Sequence, residues 1–278
     1  YCKTRKTKFI LFHFMILKEI INKSYYGTIG YISSPEDLIK LERYLLHNID
    51  VLKEYKNIIT ATNYSDMGLA VKNAELWQKY FPNCIIINLP KNRGHNFGTA
   101  DLDNALFDYC KKNDIEWLCK SSNDIILFPE VLDNKIEESD FYYLEGIGYG
   151  GLVTYEFNIE KILNSYFFPQ TNFYFINVSK TDYLNDEKYI DLTYNKIQSI
   201  SNYNGKIWEY IQDWQCETFL AKCVKRNNLS KYHLLSKKEF IILLDTVRLN
   251  NIHDCSHKNI KLKGICHFHN MNEKILKI

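Results

Sequence analysis

The sequence predicts an α/β fold with a mostly parallel central sheet and helices on both faces. Three observations carry this. Strand-length apolar runs alternate with helical stripes from Thr28 onward. Cys84–Leu89 is a near-continuous apolar run, broken only by Asn88, as expected of a strand covered on both sides. Each of the first four strand-like runs ends in a polar turn, and open parallel sheets bind their ligands at the carboxyl ends of strands.

Thr28 to Ile32 reads as the first strand. Ser33-Ser34-Pro35-Glu36-Asp37 then starts a helix, with Ser34 at the N-cap, Pro35 in the first position and acids in the first turn. Leu38, Leu41, Leu45 and Leu46 continue it at helical spacing. Asn57 to Thr62 reads as the second strand and runs into Asn63-Tyr64-Ser65-Asp66. The second helix carries Leu69, Asn73, Leu76, Trp77 and Tyr80 on one side and stops at Pro82. After Cys84–Leu89 comes Asn92-Arg93-Gly94-His95-Asn96-Phe97-Gly98-Thr99-Ala100-Asp101, a glycine-punctuated turn opening a third helix with Leu102, Ala105, Leu106, Tyr109 and Cys110 on its stripe. Ile115 to Cys119 is a fourth strand. Ser121-Ser122-Asn123-Asp124 follows, and Ile125 to Phe128 is a short fifth strand.

Beyond Pro129 the pattern changes. Glu145 to Gly151 is glycine-rich but lacks the strand-before, helix-after setting of a dinucleotide fingerprint. Asn172 to Val178 reads as a strand. Lys206 to Asn228 reads as a helix ended by Asn227-Asn228, and Ile241 to Leu244 is apolar. No repeat, low-complexity tract or clear linker divides the chain. Residues 1–26 are expected to be an extension and 27–278 a single domain.

The 278 residues suffice for one large α/β domain. At 46% hydrophobic and 24% charged the composition is that of an ordinary globular protein, and a net charge of +2 gives no field that would argue for nucleic acid. The 21 tyrosines and 16 phenylalanines suit packing first, although rings can also stack on sugars and bases. The eight cysteines form no C-x-x-C pair, and Cys84, Cys110 and Cys119 fall in apolar positions. They read as buried free thiols of a reducing compartment, so the expected location is cytoplasmic. Basic Lys3 to Lys8 followed by apolar Phe9 to Leu17 resembles the start of a signal peptide, but no small-residue cleavage site follows and Lys18-Glu19 interrupts. The run is too short to span a bilayer, and no integral membrane segment is expected; peripheral membrane contact stays open. The first residue is tyrosine, and Met15 is a candidate start.

The chemistry concentrates in two stretches, Asn92–Asp101 and Ser121–Asp124. Backbone N–H groups of a turn and a helix N-terminus can face anionic groups, and a lone carboxylate at a strand end can hold a divalent cation beside a diphosphate. That order suits a phosphorylated nucleotide.

These residues resemble the inverting nucleotide-sugar glycosyltransferases of the GT-A fold, in the large family that includes rhamnosyltransferase-like enzymes. The resemblance spans roughly Thr28 to Leu229. Asn92, Gly94, Phe97, Gly98 and Asn104 echo imperfectly the family segment N-x-G-F-x-x-G-x-N-x-G. Ser122-Asn123-Asp124 stands where the family has D-x-D or N-P-D, with serine replacing the first acid. The resemblance implies a nucleotide-diphosphate sugar donor, a glycan or other hydroxyl acceptor, and a divalent cation, Mn2+ or Mg2+, held at Asp124. It implies a nucleotide-binding half over 27–130 and an acceptor-binding half over 131–278. Donor contacts would come from Ser33, Asn63, Asp66, Arg93, Gly94, Gly98, Asp101 and Asn123. Asp66 matches an acid that contacts uracil or ribose, but it or Ser65 equally suits a helix cap.

In this family the base is a carboxylate on a later helix, and Gln212 to Leu220 is the matching place. Glu217 is the expected base, with Asp213 one turn earlier; a solvated acidic stripe is the plainer alternative. Arg93, a helix N-terminus or a metal would stabilise the leaving diphosphate. His267 and His269 lie in a His-x-His pattern that would put both rings on one face of a strand, as further metal ligands or as packing residues. Two other classes stay open. A nucleotidyltransferase usually shows a glycine-rich basic loop after its first strand, where this chain has acidic Ser33–Asp37. A non-catalytic carbohydrate- or nucleotide-binding protein on a degenerate transferase fold is kept alive by Ser122.

Overall fold

The computed structural model describes residues 14–90, 92–93, 95–123, 125–145, 169–182, 216–234, 260–262 and 265–267. The first half gives β1 (Phe14–Ile16), α1 (Leu17–Lys23), β2 (Ser24–Ile32), α2 (Pro35–Leu52), β3 (Asn57–Tyr64), α3 (Met67–Tyr80), β4 (Ile85–Leu89), α4 (His95–Lys112), β5 (Trp117–Ser122) and β6 (Ile125–Leu127). The second half adds β7 (Lys135–Glu137), β8 (Phe141–Glu145), β9 (Pro169–Asn177), α5 (Cys216–Arg226), β10 (Lys231–His233), β11 (Ile260–Leu262) and β12 (Ile265–His267). The segments 206–215, 235–250 and most of the glycine-rich stretch 145–151 lie outside the described residues.

The main sheet has seven strands in the order β10-β8-β9-β5-β2-β3-β4. β2 pairs in parallel with β3 and with β5, and β3 with β4. β9 is antiparallel to both β5 and β8, and β10 is parallel to β8. β9 alone therefore runs against the common direction. The α/β class and the mostly parallel sheet are as the alternation predicts.

Two apolar clusters mark the two faces. One joins Leu17 and Ile20 of α1, Leu41, Tyr44 and Leu45 of α2 and Trp77 of α3 with Tyr26, Ile58, Cys119 and Phe175 of the sheet. The other joins Leu102, Leu106, Phe107 and Cys110 of α4 and Leu220, Cys223 and Val224 of α5 with Ile29, Ile59, Leu118, Tyr174 and Ile176. Helices thus cover both faces. Gly27 of β2 lets α4 seat closely: a Cβ there would stand 2.8 Å from Leu118 Cδ1 and 3.0 Å from Leu106 Cδ1.

Several local readings shift. The first strand begins at Ser24 rather than Thr28, so residue 27 falls inside it, and α1 buries Leu17, Ile20 and Ile21 just ahead of it. Leu46, read as part of the α2 stripe, is 55% exposed. β6 does not join the main sheet; it pairs antiparallel with β12, which pairs with β11. The described cysteines Cys84, Cys110, Cys119 and Cys223 are free and buried. Burial pushes the thiols of Cys84 and Cys110 up to about 12. Among the described residues no helix is long and apolar enough to cross a membrane.

Candidate functional site

The chain leaves β2 for β3 on one side and returns to pair β5 on the other. This reversal opens a crevice at the carboxyl ends of β2 and β5, the position at which open α/β sheets bind ligands. Asn123, in the turn after β5, lies against Gly30 of β2, where an added Cβ would stand 3.4 Å from Asn123 Nδ2. On the α2–α3 side of the crevice is a cavity of about 10 Å3 lined by Thr28, Gly30, Thr60, Thr62, Asn73 and Asn123 among others. Asn73 Nδ2 donates to Thr62 Oγ1 at 3.2 Å.

The ends of β2 and β3 are tied together. Asp37 accepts from the backbone N–H groups of Ser33 (2.9 Å) and Ser34 (3.0 Å) and from their hydroxyls (2.8 and 3.1 Å), which closes the N-terminus of α2. Burial alone would raise the Asp37 carboxyl, but the Ser33 and Ser34 hydrogen bonds and the charge of Lys40 outweigh it and hold the group below its ordinary value. Ser65 Oγ donates to the Ser33 carbonyl at 3.2 Å. Asp66 caps α3 by accepting from Leu69 N at 3.1 Å.

The glycine-punctuated turn comes to the same rim. A Cβ on buried Gly98 would lie 2.8 Å from Asn92 Oδ1 and 3.6 Å from both Arg93 N and Asn63 Nδ2. Asn63, itself buried, links the end of β3 to the start of α4. Arg93 is engaged by Asp101: its Nε donates to Oδ2 at 2.8 Å, and Nη2 donates to Oδ1. The guanidinium group lies 5.9 Å from the Phe97 ring centroid. Arg93 and Asp101 therefore meet as a two-pronged pair beside the site, where each offsets the other's charge.

β5 and β9 complete the rim. Because β9 is reversed, it starts where β5 ends, and Ser122 Oγ donates to Asn172 Oδ1 at 3.4 Å. The turn after β5 is also held from below. Buried Asn48 of α2 accepts from Leu127 N at 2.6 Å and donates to Ile125 O at 3.0 Å, binding the backbone of β6 directly after residue 124.

Ser33, Asn63, Asp66, Arg93, Gly98, Asp101 and Asn123 thus lie on the ends of β2 to β5 and the helices that follow them. Gly94, Asp124, Asp213 and His269 lie outside the described residues, and of Glu217 and His267 only the backbone is described. His267 ends β12, in register with Ile125 of β6 and therefore next to residue 124 in sequence. Glu217 is in the first turn of α5. The other end of α5 is at the far edge of the sheet, where Asp182 N donates to Asn227 Oδ1 at 3.1 Å and Ser230 N to Asp140 Oδ2 at 3.0 Å, before the start of β8. Between its two ends α5 packs Leu220, Cys223 and Val224 onto the face of the sheet that α4 covers. Among the described residues no three His, Cys, Asp or Glu cluster as metal ligands do.

Lys120, Asp103, Asn48 and Asn172 were not anticipated from the sequence. A lysine directly after the apolar run from Trp117 to Cys119 is the one signal that could have marked Lys120.

No protein-family model matches the chain, and no curated protein does. Solved structures with a similar fold include a galactosyltransferase, LgtC, in complex with donor and acceptor sugar analogs, at a TM-score of 0.46 and 8% identity over 88% of this chain and 87% of that one. The glycosyltransferase GlyE of Streptococcus pneumoniae is similar at a TM-score of 0.43 and 11% identity. That likeness covers 90% of this chain but 55% of GlyE, so the chain spans about half the length of that protein.

Proposed function

We propose that this chain is a GT-A-type glycosyltransferase that moves a sugar from a nucleoside-diphosphate donor to a hydroxyl acceptor. The observation that carries the reading is the convergence of four parallel strand ends on one polar rim around the β2–β5 crevice. The nucleotide would lie along the ends of β2 and β3, bordered by Ser33, Asn63 and Asp66. The turn of Gly94 and Gly98 and the N-terminus of α4 would face the diphosphate. Arg93, held by Asp101, shapes that wall more than it adds net charge.

Ser122, Asn123 and Asp124 offer hard oxygen donors, which suit Mg2+ or Mn2+, and His267 and His269 are the further candidates. Such a cation supplies positive charge to the departing diphosphate. Glu217 takes the proton of the acceptor hydroxyl, with Asp213 the second candidate. The acceptor oxygen bonds to the anomeric carbon, the bond to the diphosphate breaks, and the centre inverts. Residues 131–278 provide the acceptor half. The buried free thiols suit a cytoplasmic protein.

Ser122 favours one other reading. A serine replaces the first acid and already donates to Asn172, which suits a protein that binds nucleotide without turnover. A panel of nucleotide sugars and nucleoside diphosphates, with and without Mn2+, tests both by thermal unfolding, since a bound ligand raises apparent stability by mass action. The transferase reading expects stabilisation by at least one nucleoside diphosphate, loss of its Mn2+-dependent part in Asp124→Ala, and transfer to an acceptor. Binding without transfer across an acceptor panel would favour the non-catalytic reading. No stabilisation by any nucleotide would end both.

A further inference from the structure

Lys120 sits within β5 with its side chain 1% exposed, and Asp103 of α4, 3% exposed, lies 3.5 Å from its ammonium. The ammonium also donates to the backbone carbonyl of Thr171 at the start of β9 and lies 5.9 Å from the Tyr174 ring centroid. Removing two charges from water is costly, and apolar replacements of similar volume are often neutral or stabilising. Stability alone gives little reason for the pair. Its placement does. One ammonium joins α4, β5 and β9, and each of these elements has one end on the rim. Two residues further along β5, and so on the same face of the sheet, Ser122 Oγ donates to Asn172 Oδ1 at 3.4 Å, directly above the Lys120–Thr171 contact.

We propose that Lys120 is a positioning residue for the donor site. It clamps the first residues of β9 and the body of α4 onto the end of β5, so that Ser122, Asn123 and Asn172 keep a single arrangement around the crevice. The clamp follows from the contacts alone; its value to donor binding rests on the glycosyltransferase reading.

The test is a charge-free pair, Lys120→Met with Asp103→Leu, which leaves no lone buried ion. A second pair, Lys120→Met with Asp103→Asn, makes the same test with a smaller change in α4. Two readouts are taken: amide hydrogen exchange along β9, and affinity for a panel of nucleoside diphosphates with Mn2+ by calorimetry. The expected result is a folded protein in which amides of Asn172 and Phe173 exchange at least about tenfold faster while those of β3 are unchanged. Nucleotide affinity should fall by about tenfold or more, the scale on which supporting contacts act. Unchanged exchange at Asn172 and Phe173 would overturn the clamp, and faster exchange with unchanged affinity would overturn its role in donor binding. If the unmodified protein binds no nucleoside diphosphate, the functional reading falls, and the exchange result still decides the clamp.

Discussion

Asn48 holds Leu127 as a neighbouring strand would. Its side-chain amide accepts from Leu127 N and donates to Ile125 O, giving β6 a partner on the side away from β12. Asn48→Ala strands two buried backbone groups, each worth about 1–3 kcal/mol when left unpaired. A loss of about 2–5 kcal/mol in urea denaturation is expected. Asn48→Asp keeps the acceptor toward Leu127 N but loses the donor to both Ile125 O and Tyr44 O and buries a carboxyl group, so it should be destabilising as well. A change below about 0.5 kcal/mol in Asn48→Ala would show that β12 alone holds β6.

Gly98 and Gly27 should separate binding from stability. At Gly98 the nearest atom to an added Cβ is Asn92 Oδ1 on the rim, whereas at Gly27 it is Leu118 Cδ1 in the core. Gly98→Val should weaken nucleotide affinity more than it lowers Tm. Gly27→Ala should cost about 1–3 kcal/mol through overpacking, with affinity intact. Calorimetry and thermal unfolding on both variants check this, and the reverse pattern would place the nucleotide away from Gly98.

Proton transfer is the task assigned to Glu217. Glu217→Gln keeps the shape of the side chain and removes its basic oxygen, so turnover should fall by roughly two to four orders of magnitude while donor binding persists. Asp213→Asn is the control. If Asp213→Asn abolishes transfer and Glu217→Gln does not, the base lies one turn earlier; if neither acts, the acidic stripe is solvated surface.

Acid should loosen the second half at Asp140. This carboxylate accepts from Ser230 N and Oγ at 3.0 and 2.7 Å and pairs with Lys180. Burial pushes its carboxyl up, but Lys180 and Ser230 outweigh that and hold it below the ordinary value. A group depressed in the folded state contributes stability that is present above its unfolded value, about 3.9, and lost as pH falls through the folded one. Unfolding midpoints followed from about pH 6 to pH 3 should therefore fall less steeply in Asp140→Asn than in the unmodified chain. Parallel curves would remove Asp140 from the acid response.

Periodic elements were legible because their own residues carry the signal. Leu41 and Leu45 fix the buried face of α2, and Ser34 with Asp37 fixes its start. Contacts between distant segments were not legible. Nothing local tells β6 to leave the main sheet for β12, or β9 to run backward beside β5. Leu17 looked like the end of an apolar leader, yet with Ile20 and Ile21 it becomes core once α1 lies on the sheet. At the site, the turns that end strands stood out as polar interruptions. Their partners did not: Arg93 finds Asp101 only once the chain has turned into α4, and Lys120 finds Thr171 only through the reversal of β9.

That reversal also shapes how such a chain can diversify. β8 ends at Glu145 and β9 begins at Pro169, and the two residues are paired neighbours on the rim. A connection whose ends already touch can lengthen at little entropic cost, about 0.6 kcal/mol per doubling. Lengthening between these two residues therefore adds little entropic cost to the register of the strands that frame the crevice.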